Sequence, residues 1–493
     1  MSSDVILAID QGTTGTTVLA MSKDLGVLGR HTKEFRQIFP KPGWVEHDLE
    51  DIWRSTTDTL GALLAKLALD PKRIKGIGIT NQRETVGLWD AKTGQPIHNA
   101  IVWQCRRTSD ICASLREKGH EAIVRERTGL VLDPYFSATK IAWLLDHVER
   151  ARLRAERKEI IAGNIDTFLL WRLTGGSVHA TDVSNASRTS LFSLSTGAWD
   201  DELLEIFRVP RAVLPEIRSS SEIYGLTRGV PSLPDGIPIA GIAGDQQAAL
   251  FGQACFDEGD AKCTYGTGAF LLLNTGTRLA RSKHNLLTTC AWKLGPDGPI
   301  EYALEGSVFI AGAAVQWLRD GLGIIQSSSE VESLARTVDS SGDVVFVPAL
   351  TGLGAPHWRA GARGLITGIT RDTNRGHIAR ATLEGVALSV FEVLDALRKD
   401  AGALRSLKVD GGAAANDLLM QTQADLIEQP VVRPHMLETT AAGAAFLAGL
   451  GVGTFSSKQA IRDAWREDKK FLPADRERSQ ALIKRWNAAV DRA

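Results

Sequence analysis

The chain lacks any apolar run close to the roughly 20 residues that a membrane-spanning helix needs, so no helical span is expected. It lacks a charge imbalance as well: 57 Lys and Arg stand against 58 Asp and Glu, a formal net charge of −1. That removes any global pull toward nucleic acid or an anionic surface. Cysteine is sparse. Cys105, Cys112, Cys255, Cys263 and Cys290 form no Cys-x-x-Cys pair, and no histidine lies near them at zinc-finger spacing, so reduced, structural thiols are expected. The N-terminus shows no basic stretch and no cleavage site before the strand-like Val5-Ile6-Leu7-Ala8-Ile9. The expectation is a protein that stays in the cytoplasm where it is made. Two common phosphate cradles are missing too. There is no Gly-x-x-x-x-Gly-Lys-Ser/Thr loop, and no Gly-x-Gly-x-x-Gly follows the first strand.

What is present describes a globular protein of more than one core. Hydrophobic residues make up 43% and charged residues 23% of 493 residues, a length that predicts two domains. Strand-like runs at Val5–Ile9, Gly76–Ile79, Ile237–Ile242, Val344–Val347 and Leu407–Val409 alternate with helical patterns. The helical patterns cover Leu49–Leu67, Ser137–Val148, Val308–Leu318, Gly376–Leu397 and Asp417–Ile427. Such alternation predicts an α/β fold. No low-complexity linker marks a boundary. The candidate division lies near Ala248–Asp260, giving domains 1–250 and 251–493.

Internal similarity sharpens this picture. Asp10-Gln11-Gly12-Thr13-Thr14-Gly15-Thr16-Thr17 follows the first strand, and Thr264-Tyr265-Gly266-Thr267-Gly268-Ala269 repeats the theme in the second half. Each is a Gly-Thr turn opening into a second apolar strand, so two related domains should face one cleft. Glycine lets successive backbone N–H groups converge on one anion, and threonine adds donors without charge. Either turn alone is equally an ordinary β-hairpin. The pair, with Asp10 at a strand end where a carboxylate can hold a hydrated Mg²⁺, points to phosphate. A third turn, Val409-Asp410-Gly411-Gly412-Ala413-Ala414-Ala415-Asn416, also follows a strand and precedes a helix, and suits an adenine or ribose contact.

These three turns, in this order, resemble those of the superfamily of sugar kinases, heat-shock ATPases and actin. Finer motifs resemble the carbohydrate kinase family known by its FGGY signature. They are Tyr135-Phe136-Ser137-Ala138-Thr139-Lys140 through His147, and Gly364-Leu365-Ile366-Thr367-Gly368-Ile369 through Ala381-Thr382-Leu383-Glu384. Within the family the chain is similar to members that phosphorylate glycerol. Pro40-Lys41-Pro42-Gly43-Trp44-Val45-Glu46-His47, Asn81-Gln82-Arg83-Glu84, Asn99 through Arg107, and Gly241-Ile242-Ala243-Gly244-Asp245-Gln246-Gln247 carry that likeness.

The resemblance implies two actin-like, ribonuclease H-like domains flanking a nucleotide cleft. It implies transfer of a phosphoryl group from Mg-ATP to glycerol, and a homo-oligomer. Arg83, Glu84, Tyr135, Asp245 and Gln246 would hold the glycerol hydroxyls, with Trp103 and Phe270 against its carbon edge. Asp245 would be the general base, with a helix N-cap as its ordinary alternative role. Thr13, Thr14, Gly15, Gly266, Thr267, Gly312, Gln316, Gly411, Gly412 and Asn416 would contact the nucleotide. Asp10, through water, and Asp245 would approach the metal. Other readings left open are a kinase for a pentulose or dihydroxyacetone, and a catalytically weak nucleotide-binding relative.

The sequence also departs from those members. Where their first turn commonly reads Gly-Thr-Thr-Ser-Ser-Arg, this chain has Gly15 in place of a serine and Thr17 in place of the basic residue. Loss of one fixed donor near transferring phosphates is worth about 3 kcal/mol. The loop Arg228–Gly236 lacks the Gly-Gly-Thr-Arg run that resembles a fructose 1,6-bisphosphate site. The stretch Phe471–Arg478 only loosely resembles a docking segment for a phosphotransferase-system protein. No histidine occupies the loop phosphorylated in other relatives. None of these three controls is expected to operate.

Overall fold

A computed structural model of the chain describes residues 4–359, 361–402 and 404–493. Two mixed sheets in it follow one plan. In the first, the strand order is Ser221–Leu226, Pro238–Gly244, Ile74–Asn81, Val5–Gln11, Gly15–Ser22, Val27–Glu34. In the second it is Glu467–Phe471, Val431–Pro434, Ser406–Asp410, Asp260–Tyr265, Ala269–Gly276, Ile300–Val308, Leu287–Lys293. Without the extra strand Leu287–Lys293 the two share one pattern of strand directions, although the edge strand comes before its neighbour in the chain in the first sheet and after it in the second. Each has an antiparallel edge strand, then parallel strands, then a three-stranded antiparallel meander. The duplication expected from the two Gly-Thr turns is present at the level of topology: each turn joins the first two strands of its meander.

Local chemistry sets the elements. The central strands Val5–Gln11 and Ile74–Asn81 are covered on both faces, which is why they read as unbroken apolar runs rather than as alternation. Helix Leu49–Leu67 starts where the Asp48 carboxylate accepts the Glu50 N–H at 2.8 Å, and helix Asp417–Ile427 starts where Asn416 caps Leu419 at 2.8 Å. The long helix Arg375–Ala401 opens with a capping box between Asn374 and His377. One expected helix is shorter than its pattern. Val308 ends a strand paired with Ala269, and the helix runs only from Gly312 to Asp320. Val308 and Ile310 are apolar because they are buried, Val308 at the end of the strand and Ile310 in the connection that leads to the helix.

Two helices lock the halves together. Asp245–Gly252 follows the last parallel strand of the first sheet, and Thr439–Gly451 follows that of the second. They cross at closest approach. A Cβ on Gly443 would lie 1.8 Å from the Ala248 carbonyl oxygen, and one on Gly252 would lie 1.9 Å from that of Thr439. Each helix covers the sheet of the other half. Gly78 and Gly241 of the first sheet press against Ala444 and Ala448. Phe251 packs edge-on against Trp292, ring centroids 5.0 Å apart, in a cluster with Leu272 and Ala303. All five cysteines are buried and unpaired. Among the described residues no helix is long and apolar enough to cross a membrane.

Candidate active site

The first Gly-Thr turn is braced through its carbonyls. Gln82 donates to the Gly12 oxygen at 3.1 Å and Gln37 to the Thr13 oxygen at 3.0 Å. His47, buried and held neutral by burial with its pKa lowered to about 4, bonds both glutamines. The Gly12 N–H closes the turn on the Gly15 oxygen at 2.9 Å, and the Thr14 side faces solvent. The second turn closes in the same way, Gly266 N–H to Gly268 oxygen at 2.9 Å. It is also stitched to the next helix, because Gly312 donates to Gly266 at 2.9 Å and Ala311 donates to Thr267 at 2.8 Å. Only glycine fits at 312, where a Cβ would stand 2.6 Å from the Gly266 oxygen. Gly411, at φ 86°, is constrained likewise, its Cβ position lying 2.5 Å from the Tyr265 oxygen.

Beyond the second turn opens a cavity of about 440 Å³. Six of the expected nucleotide residues line it: Gly266, Thr267, Gly312, Gln316, Gly412 and Asn416. Gly411 shapes its floor from behind, and Thr13, Thr14 and Gly15 form the separate first turn. Thr17, where relatives carry a basic residue, bonds its hydroxyl to Thr32 at 2.8 Å on the strand surface.

The residues expected to hold the acceptor lie in a cluster built from charge. Arg83 and Glu84 are not the surface ion pair that their adjacency suggests; both are buried and face different partners. Glu84 sits at φ 60°, a left-handed conformation costly for this residue. Arg83 makes a two-pronged contact to Glu305, 2.5 and 2.9 Å, and its Nε reaches Asp245 Oδ1 at 3.1 Å. Its distance to Glu84 is 3.9 Å. Glu84 instead accepts from Arg188 at 2.6 Å, and Arg188 also reaches Glu305 at 3.1 Å. Burial pushes the Glu84 carboxyl up against the pull of Arg188 and Arg83. For Glu305 the balance runs the other way: burial is outweighed by Arg188 and Arg83, which hold it at about 2.

Neither Arg188 nor Glu305 was expected from motif reading. Glu305 does carry a signal, a carboxylate in the buried half of strand Ile300–Val308 between Leu304 and Gly306, where a buried counter-charge stabilises it. Lys140 is a third addition. It is buried, with its pKa lowered to about 8 by burial, and it donates to the carbonyls of Tyr135 and Phe136.

Trp103 and Tyr135 meet edge-on with ring centroids 5.5 Å apart, and the Trp103 indole N–H donates to Thr13 at 3.0 Å. One residue thus joins the aromatic wall to the first turn. Phe270 lies half-buried on the strand opening from the second turn. Asp245 is not the N-cap of its helix: Gly244 holds that position and Asp245 is the first helical residue. Its Oδ1 takes the Gln246 N–H at 2.7 Å besides Arg83. Oδ2 has no protein partner among the described residues. Asp10 lies close enough that Asp245 and Glu438, after burial, push its pKa up to about 7.

Comparison with known proteins agrees with this geometry. Residues 5–252 match the model of the N-terminal domain of the FGGY family of carbohydrate kinases, and residues 261–452 match that of its C-terminal domain. The chain belongs to the FGGY family of carbohydrate kinases. Among its FGGY relatives, glycerol kinase of Myxococcus xanthus is 57% identical over 490 residues, 99% of each chain. Glycerol kinase of Bdellovibrio bacteriovorus is 56% identical over 492 residues, again 99% of each. The crystal structure of Plasmodium falciparum glycerol kinase with ADP superimposes with a TM-score of 0.94 at 39% identity, covering 99% of this chain and 98% of that one. Gluconate kinase from Lactobacillus acidophilus, at 22% identity and a TM-score of 0.88 over 99% and 97% of the chains, shares the fold. The two related sheets are therefore the actin-like domains of an FGGY kinase.

Proposed function

We propose that the chain transfers the γ-phosphoryl group of ATP to a terminal hydroxyl of glycerol, giving sn-glycerol 3-phosphate, the first step of glycerol utilisation. The observation that carries this reading is the placement of Asp245. One oxygen is fixed by Arg83 and its own helix, the other is unpartnered, and the residue stands at the junction of the phosphate turns and the buried charge cluster. Full-length similarity to curated glycerol kinases supports the choice of acceptor.

In this reading Arg83, Glu84, Tyr135 and Gln246 bind the hydroxyls while Trp103 and Phe270 cover the carbon edge. The acceptor oxygen forms the new P–O bond, the β–γ bridging P–O bond breaks, and ADP leaves with that electron pair. The hydroxyl proton passes to Asp245 Oδ2. A carboxylate suffices as the base because a loose transition state calls for late proton removal. Thr13, Thr14, Gly15, Gly266 and Thr267 supply the phosphate contacts, and Gly312, Gln316, Gly411, Gly412 and Asn416 bound the adenosine. Most of the barrier falls through positioning.

Mg²⁺ fits as a companion of the nucleotide. No cluster of three or more ligating side chains occurs among the described residues. Two facing carboxylates, Asp10 and Asp245, do repel each other enough to raise Asp10, which suits a hydrated ion held mainly by phosphate oxygens. When bound, it would neutralise charge on the β- and γ-phosphates. The division into domains 1–250 and 251–493, a cytoplasmic location and a homo-oligomeric state belong to the same reading.

The test is ADP release from Mg-ATP with glycerol, dihydroxyacetone, xylulose and ribulose, with the product identified. Glycerol 3-phosphate formed by the native chain, with kcat reduced about 10²- to 10⁴-fold in Asp245→Asn, is the expected result. Turnover confined to a ketose would move the substrate. Release indifferent to every acceptor would leave a nucleotide-binding relative.

A further inference from the structure

Lys262 is fully buried with no carboxylate at ion-pair distance among the described residues, and burial pushes its ammonium pKa down against the more distant pull of Asp410 and Asp245. It lies on strand Asp260–Tyr265, whose alternate residues Ala261, Cys263 and Tyr265 face the core of the second half. Lys262 and Thr264 therefore face the opposite way, toward helix Asp245–Gly252. The ammonium group donates to the Gln246 side-chain oxygen, and to Thr264 Oγ1 at 3.0 Å. Burying a charge against two neutral acceptors is costly, and stability alone gives no reason for it.

The consequence lies in the direction of the next hydrogen bond. A lysine ammonium has donors and no acceptor. The Gln246 amide must therefore turn its carbonyl oxygen toward Lys262, which leaves its –NH₂ group facing the other way. That nitrogen meets no protein acceptor among the described residues and is open to solvent. A substrate hydroxyl at this point meets a donor from Gln246, so its oxygen accepts there. Its own O–H is then free to point at the unpartnered Oδ2 of the preceding residue, Asp245.

We infer that Lys262 is a positioning residue that fixes the polarity of the Gln246 amide and thereby aims the acceptor's proton at Asp245. The inference rests on the glycerol kinase reading for the identity of the acceptor. With a neutral residue at 262 the amide turns over freely. Its carbonyl then accepts a hydrogen bond from the hydroxyl, and the acceptor stays bound but points its hydrogen the wrong way. The bond-making step is unchanged: the same P–O bond forms, the β–γ bridging bond breaks, and the proton must still reach Asp245.

The test is a set of steady-state measurements at saturating Mg-ATP. Lys262→Met is expected to lose about 100-fold in kcat with glycerol KM held within about threefold, because the flipped amide still binds the hydroxyl. Lys262→Arg, which is also donor-only, should recover most of that loss. The double variant Lys262→Met with Gln246→Leu should be no slower than Gln246→Leu alone, since the lysine acts through the amide. Gln246→Glu keeps the lysine partnered and presents only acceptors, so it should fold and lose kcat with glycerol still bound; it decides the matter if Lys262→Met does not fold. A kcat within twofold of native in Lys262→Met or Gln246→Glu, a loss confined to KM, or independent multiplication of the two losses would overturn the inference. Turnover of glycerol by the native chain and its loss in Asp245→Asn report on the underlying reading separately.

Discussion

Where Arg83, Glu84, Arg188 and Glu305 meet, four charged side chains are buried and contact one another in a closed circuit. Where the 440 Å³ cavity opens, the wall is glycine, backbone amide and short apolar residues, with few charges. On the proposed reading these are the acceptor and nucleotide ends of one cleft, and they face different problems. Three hydroxyls on three carbons offer little area, so recognition must come from fixed donors and acceptors whose desolvation is already met within the protein. A nucleotide offers a large flat base and an anionic chain, and backbone approach with shape suffices for both. The acceptor end is therefore sensitive to the loss of charge, and the nucleotide end to the gain of volume.

The largest effect should come from breaking the circuit. Glu305→Ala leaves Arg83 with Asp245 and Arg188 with Glu84 as their remaining close counter-charges, and loss of the shared carboxylate should cost about 3–5 kcal/mol of stability, measured by denaturant unfolding. Glu305→Gln should cost less, and glycerol affinity should fall in both while nucleotide affinity holds. A smaller effect is expected at the other end. Gly312→Ala adds a methyl group 2.6 Å from the Gly266 oxygen, and relieving it should cost about 1–3 kcal/mol. That cost should appear as weaker ATP binding with glycerol binding intact. If Gly312→Ala weakened both substrates alike, the two ends would not be separable.

The smallest effect concerns the boundary between them. Asp10 is raised to about 7 in the fold from an ordinary value near 3.9. Its ionisation therefore opposes folding: the penalty is absent below the unfolded value, grows between the two, and is full above pH 7. Asp10→Asn should raise the melting temperature of the nucleotide-free protein at pH 8 and leave it nearly unchanged at pH 4. Equal shifts at both pH values would mean that the charge of Asp10 is not what is being relieved.

Much of this was legible in the residues. Helices Leu49–Leu67 and Asp417–Ile427 match their patterns to the residue because Asp48 and Asn416 mark their starts chemically. The repeated Gly-Thr turns announced the duplicated sheets. Val308–Leu318 was misleading because a strand end and a helix share one apolar run, and periodicity cannot divide them. The expected site residues could be named because they lie in contiguous segments. Glu305 and Arg188 could not, since a buried ion circuit closed between residues more than 100 positions apart has no local spacing to read. What the sequence does show is a charge flanked by apolar residues within a strand, at Glu305 beside Leu304 and at Lys262 between Ala261 and Cys263.

The crossing of helices Asp245–Gly252 and Thr439–Gly451 reaches beyond the chemistry. Each half lends the other the helix that roofs its sheet, with Gly443 and Gly252 letting the two backbones touch. Neither half is then an autonomous module, although the family boundary suggests a place to cut. A fragment ending near residue 252 would expose the bare face of Ile74–Asn81 and Pro238–Gly244 to water, and expressed alone it should aggregate. Supplied together as separate polypeptides, the two fragments should instead find each other, each completing the other's core.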